Sequence, residues 1–169
     1  IVNPEWILHG KIGYFNLDKN AGIEISCDTN LFVANINHGI NPKNQSYAYI
    51  VKPGVQSAGD AKKYLKSIPV SVISNTPSIQ AVKNNLLNIT QIMFYQAGTL
   101  QIGEGRSITV DQPCAVILKD KSVTIGNPRC ESENPETIHI TTLENGKEFK
   151  LTAKMPTGVY AGRSVTLNY

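Results

Sequence analysis

The sequence predicts an all-β protein, built as β-sandwiches or a barrel, and three observations carry that prediction. First, 19 Ile and 12 Val stand against 11 Leu, and side chains branched at Cβ suit a pleated strand better than a helix. Second, 13 Gly and 9 Pro supply frequent turns. Third, short apolar or alternating runs recur between those turn residues at the close spacing expected of sandwiches and barrels.

Taken in order, the runs lie at about 11–16, 22–27, 31–37, 46–52, 70–74, 78–83, 91–96, 107–110, 114–119, 121–125, 136–144, 147–153 and 163–168. In Ser46–Lys52, Tyr47, Tyr49 and Val51 alternate with Ala48 and Ile50, so both faces are apolar and the strand reads as central and covered. Asn145-Gly146 suits the two positive-φ positions of a type I′ turn. Counting back from that two-residue loop pairs Thr142 with Phe149, Ile140 with Leu151 and Ile138 with Ala153 on the core face, leaving His139, Thr141 and Lys150 outside. One helix is expected at 58–66, with Asp60 as N-cap, lysines toward its end and Pro69 blocking continuation. Gly103-Glu104-Gly105 reads as a hairpin turn. The stretch 98–105 is also the expected boundary between two β units, 1–100 and 101–169. Residues 126–136, rich in Pro and polar side chains, read as an exposed loop.

With 169 residues the chain can bury a core without metal or disulfide support. The net charge is +3, with 17% charged residues scattered along the chain, which argues against a nucleic-acid partner. No run reaches the roughly 18–20 apolar residues of a membrane helix. Cys27, Cys114 and Cys130 have no C-x-x-C spacing, and their odd number leaves at least one thiol unpaired; small apolar residues is the simplest reading. The first six residues lack the basic start and apolar centre of a signal peptide, so an export signal is expected to be removed or to lie upstream.

Catalytic chemistry is mostly missing from the sequence. His9, His38 and His139 have no nucleophile elbow nearby and read as structural, His38 bonding across the turn 40–44. The 8 Glu and 5 Asp are spread over turns and polar faces, and no pair stands out for glycoside hydrolysis. Gly103–Ser107 lacks the lysine of a phosphate loop. Trp6, Tyr14, Tyr47, Tyr49 and Tyr95 could stack on sugar rings, but their alternation with aliphatics favours core packing. Asn44 and Asn88 open N-x-Ser/Thr sequences, meaningful only in a eukaryotic secretory context. No catalytic, cofactor-binding or metal-ligating residue is nominated, and no cofactor is expected.

Several ordered segments carry a resemblance. Asn37-His38-Gly39 is followed by Pro42 and then by Tyr47, Tyr49, Pro53 and Gly54. Next come Val72–Thr76, Ile79–Val82 and Phe94–Gly98. Trp6–Tyr14 precedes them as a strand pair, and Gly158–Val165 follows as a closing strand. Together they resemble the hyaluronate, chondroitin AC and xanthan lyase family of polysaccharide lyases. The Tyr14–His38 interval is shorter than in that family, implying a trimmed sheet, and Asn127-Pro128-Arg129 stands where Asp-Pro-Thr is frequent. The resemblance implies an α/α toroid, a large antiparallel β super-sandwich and a smaller C-terminal β domain, of which this chain supplies the last two, the sandwich incompletely: an antiparallel β-sandwich followed by a small C-terminal β-sandwich. It further implies β-elimination at a uronic acid, with an asparagine and a histidine neutralising the carboxylate and a tyrosine moving the proton. Those residues belong to the toroid, and none transfers to His38 or Tyr47. The expected role is a non-catalytic scaffold for a secreted or periplasmic lyase of acidic polysaccharide. A free-standing carbohydrate-binding sandwich is the alternative, and a self-sufficient enzyme the least favoured reading.

Overall fold

The computed structural model describes residues 3–19, 22–129 and 136–169, and the chain divides into two compact units, Ile1–Ile68 and Pro69–Tyr169. The stretch 98–105, expected as a boundary between β units, lies within the second of these units, where Gly98 and Gly103 sit in paired strand and Gly105 in the hairpin turn that the sequence suggested.

In the first unit, β1 (Trp6–His9), β2 (Ile12–Asn16) and β5 (Tyr49–Pro53) form an antiparallel sheet in the order β1-β2-β5. The pairs Trp6↔Phe15, Ile7↔Tyr14 and Phe15↔Ile50 fix its register. Phe15 is fully buried with Val55 and Ala61, and Trp6, Leu8, Ile50, Tyr64 and Leu65 pack around them. That cluster joins one face of the sheet to helix α1 (Ala58–Leu65). Gly13 shares this face because a Cβ there would lie 2.7 Å from the Phe15 ring. A separate hairpin pairs β3 (Gly22–Cys27) with β4 (Phe32–Asn37).

The helix begins one turn earlier than its expected cap: Ser57 is the N-cap, its Oγ accepting from Asp60 N at 3.1 Å. The Ser57 hydroxyl also donates to Asp60 Oδ2 at 3.0 Å. Asp60 therefore occupies the third helical position of a Ser-x-x-Asp capping motif.

The second unit packs two sheets around one core. One is six-stranded: β15 (Val165–Asn168), β12 (Ser122–Gly126), β11 (Cys114–Lys119), β8 (Ile89–Phe94), β7 (Ile79–Asn84) and β6 (Val70–Asn75), hydrogen-bonded in that order. The other is four-stranded: β14 (Lys147–Lys154), β13 (Thr137–Glu144), β10 (Arg106–Val110) and β9 (Gly98–Gly103). Phe94, Ile108, Val123, Ile125, Ile138 and Ala153 are completely buried between them. Gly158–Val165, expected as the closing strand, opens with a 3-10 turn at Gly158–Tyr160, and pairing starts only at Val165. The loop expected at 126–136 is framed by β12 and β13, and its residues 130–135, with Cys130, lie outside the described residues. At its base Asn127 Nδ2 donates to Glu136 Oε2 and Arg129 Nη1 pairs with Glu136 Oε1 at 3.3 Å.

The β13–β14 hairpin has the expected register, Thr142↔Phe149, Ile140↔Leu151 and Ile138↔Ala153, with φ of 51° at Asn145 and 80° at Gly146. Thr142 faces the core at 3% exposure, and its Oγ1 has no hydrogen-bond partner. Thr142→Val keeps the shape and removes a dehydrated hydroxyl, which is expected to stabilise the protein by about 1 kcal/mol. A rise in the urea midpoint at unchanged slope is the readout.

Cys114 and Cys27 are free thiols in opposite settings, buried and exposed. Burial, with the Asp111 carboxylate adding to it, pushes the Cys114 thiol up from 9.0 to about 12. Thiolate is the reactive form, so at pH 8 iodoacetamide should modify Cys27 and spare Cys114 until the protein unfolds, as read by peptide mass. Because the folded value is raised, its contribution to stability is intact below pH 9 and is lost as the pH climbs toward 12.

Candidate functional site

The three-stranded sheet of the first unit is apolar on both faces, and only one of them carries α1. On the other face Ile7, Tyr14, Tyr49 and Val51 point into a cleft of about 570 Å³. The β3–β4 hairpin supplies its opposite wall with Ile23, Ala34, Asn35 and Ile36, and His38 and Tyr47 close one end. Asn3 helps hold that wall, its Oδ1 accepting from Ile23 N at 3.0 Å. The His9 ring stacks on Phe32 at 4.2 Å and 7° between planes, tying the end of β1 to the start of β4.

Tyr47 and Tyr49 are nearly parallel, 23° apart with centroids at 6.2 Å, and the His38 ring lies 6.1 Å from Tyr47. Core packing was expected for the five aromatics, yet Tyr47, Tyr49 and Tyr95 are 54%, 52% and 52% exposed. Trp6 is half-buried against the Phe15 cluster, and Tyr14 is half-buried in the cleft wall. Nor is Ser46–Lys52 a central strand: pairing starts at Tyr49, and β5 ends the sheet among the described residues. Its alternation was read correctly as two apolar faces, but on the second the β3–β4 hairpin shields Ile7 and leaves Tyr49 and Val51 half exposed. His38 does not make the expected bond across the turn 40–44; its neighbour Asn37 is the bonded residue, its Oδ1 accepting from Gly39 N and its Nδ2 donating to Glu24 Oε1 on β3, both at 2.7 Å.

The cleft lining includes Asn35, His38 and Tyr47, the residue types that the resemblance implies for elimination at a uronic acid. Their surroundings suit packing instead. No Lys, Arg, Asp or Glu lines the cleft among the described residues, and a tyrosine acting as base needs a nearby cation to favour its ionised form. His139 stands apart, on the outer face of β13, with Nδ1 3.4 Å from Thr152 Oγ1. The described residues hold no cluster of three or more metal-ligating side chains, and no helix among them is long and apolar enough to cross a membrane.

A two-unit, all-antiparallel chain with an apolar cleft and dispersed titratable groups defines a β-sandwich protein. Comparison with known proteins places part of it in a family. Residues 71–136 match the C-terminal beta-sandwich domain of polysaccharide lyase family 8. The chain is 33% identical to chondroitinase-AC of Pedobacter heparinus over 96% of its own length and 26% of that protein's. A hyaluronate lyase of Thermasporomyces composti is 26% identical over 63% of this chain and 13% of its own length. The structure of a chondroitinase AC lyase, determined in oligosaccharide complexes, superposes with a TM-score of 0.80 at 29% identity, covering 96% of this chain and 27% of the other. Residues 71–136 belong to the C-terminal beta-sandwich domain of polysaccharide lyase family 8, and along its length the chain resembles the C-terminal β portion of the chondroitin AC and hyaluronate lyases. It spans about a quarter, or less, of the length of the curated relatives it matches.

Proposed function

We propose that this chain is the non-catalytic β-scaffold of a secreted or periplasmic lyase that breaks an acidic polysaccharide by β-elimination. The observation that carries the reading is the 33% identity that runs along 96% of the chain while taking in only 26% of chondroitinase-AC. The physical role is support. A sheet with both faces apolar needs two covering layers; α1 is one, the β3–β4 hairpin covers the other face in part, and Tyr49 and Val51, half exposed in the cleft, are the seat for a layer contributed by the remainder of a longer enzyme. Fixing that layer fixes the wall of a substrate channel elsewhere, as rigid supporting residues hold a site in geometry. The missing partner is the α/α toroid together with the rest of the super-sandwich, and the catalytic Asn, His and Tyr reside there.

The test is elimination by the longer protein, followed as ultraviolet absorbance of the unsaturated uronide released from hyaluronan, chondroitin sulfate or xanthan. Turnover is expected, with His38→Gln leaving kcat within about twofold because His38 fills a wall and moves no proton. Loss of kcat with the fold intact would assign His38 to catalysis and overturn the scaffold reading.

The exposed, near-parallel Tyr47 and Tyr49 support a second reading, a free-standing carbohydrate-binding sandwich. Flat aromatic faces left in water are the usual platforms for pyranose rings. Calorimetric binding that disappears with Tyr47→Ala and Tyr49→Ala would favour it.

A further inference from the structure

In the second unit the outer face of the six-stranded sheet is neither core nor an ordinary charged surface. Neighbouring pairs Gln80↔Met93 and Val82↔Gln91 on β7 and β8, and Met93↔Ala115 and Gln91↔Ile117 on β8 and β11, place these side chains side by side on that face. They line a shallow trough of about 410 Å³. Its floor is apolar, with Val82, Met93 and Ala115 half-buried and Ile117 42% exposed. Two amides stand at its diagonal corners, since residues offset by two on adjacent strands are about 7–8 Å apart. The Tyr95 hydroxyl donates to Gln80 Oε1 at 2.9 Å, so the Gln80 carbonyl is engaged and its two N–H donors face outward for a ligand.

The charge pattern selects the ligand. The chain has 13 acidic residues, yet none of the six strands of this sheet contains an Asp or a Glu, while β11 carries Lys119 on the same face as Ala115 and Ile117. The four-stranded sheet does contain acids, Glu144 and Glu148. A face with an apolar floor, amide donors, hydroxyls at Thr124 and Thr166, and no carboxylate suits a polyhydroxylated chain that itself bears carboxylates.

We propose that this trough is a glycan-binding site that takes a short segment of acidic polysaccharide. The C–H face of one pyranose ring lies on Met93, Ala115 and Ile117. The Gln80 and Gln91 amides donate to its hydroxyl or carboxylate oxygens, and Lys119 flanks the apolar floor. The acidic class of ligand rests on the proposed function; the sugar site itself does not. Bound there, the polymer would be held to the scaffold at a place separate from the Tyr47–Tyr49 cleft, retaining the enzyme on its substrate between cuts through effective concentration.

The test uses the 169-residue chain, titrated with octasaccharides of hyaluronan and of chondroitin sulfate and with a neutral cello-oligosaccharide. Saturable binding of the acidic octasaccharides is expected below about 1 mM, with NMR shifts at the Gln80 and Gln91 amides and the Met93 methyl. Gln91→Glu preserves shape while placing a carboxylate in the trough. It should weaken the acidic ligands by about tenfold or more through like-charge repulsion and leave the circular dichroism unchanged. Gln80→Ala, which alters no charge, should weaken them severalfold. Absence of saturable binding, preference for the neutral oligosaccharide, or affinity untouched by both glutamine variants would overturn the proposal. So would affinity lost with Tyr47→Ala instead. Uronide release by the longer protein remains a separate readout, so failure of the trough and failure of the lyase reading are distinguishable.

Discussion

Phe94→Ala is expected to remove about 3–5 kcal/mol of stability from residues 69–169, the full cost of emptying a phenylalanine site in a close-packed core. Phe94 is completely buried at the end of β8, opposite Ile79 on one neighbouring strand and Cys114 on the other. Few atoms near it can move to fill the hole, because paired backbone on both sides fixes the strand positions. With total stabilities of about 5–15 kcal/mol for ordinary domains, the variant should unfold near room temperature or fail to fold. Urea titration followed by far-ultraviolet circular dichroism checks this. A loss below about 1 kcal/mol would mean that the two sheets do not close on Phe94 as described.

The second large effect depends on context. Val51 is 50% exposed on the cleft face of β5, so Val51→Asp in the isolated chain should shift stability by no more than about 0.5 kcal/mol. In the longer enzyme the scaffold reading covers that face with another layer. The same substitution then buries a carboxylate against Tyr14 and Ile7 and should cost about 3 kcal/mol or more. Paired thermal melts of both proteins give the answer. Equal small shifts would leave the cleft open to solvent in the whole enzyme and favour the tyrosines as a sugar platform.

What could be read from the residues, and what could not, follows local physics. The Asn145-Gly146 hairpin was legible down to its pairs because two positive-φ residues and a two-residue loop leave one register. Gly22–Cys27 and Cys114–Lys119 were found with their observed ends, since apolar side chains there are bounded by turn residues. β1 went unseen as a local pattern: four residues, Trp6–His9, are too few to show alternation, and only the resemblance marked a strand pair there. β9 was passed over as a strand because glycines begin and end it, and the stretch was read as a boundary with a hairpin turn. Asp60 drew attention as a cap when Ser57, three residues ahead, makes the cap hydrogen bond. The cleft lay beyond local reading, because the burial of Tyr47 and Tyr49 depends on what else packs on β5. The family segment that runs from His38 through Tyr47 to Gly54 nevertheless fell on the stretch that builds one end of the cleft.

The trough on the six-stranded sheet was equally hidden. Gln80 and Gln91 are unremarkable polar residues along the chain, and only the β7–β8 register sets them beside Met93 and Ile117.

The most direct measurement is uronide absorbance from the isolated chain mixed with hyaluronan, chondroitin sulfate and xanthan. The scaffold reading predicts no turnover with any of them, while the longer protein under the same conditions cleaves at least one. Sustained turnover by the 169 residues alone would contradict it and would point to Asn35, His38 and Tyr47 in the cleft as the groups responsible.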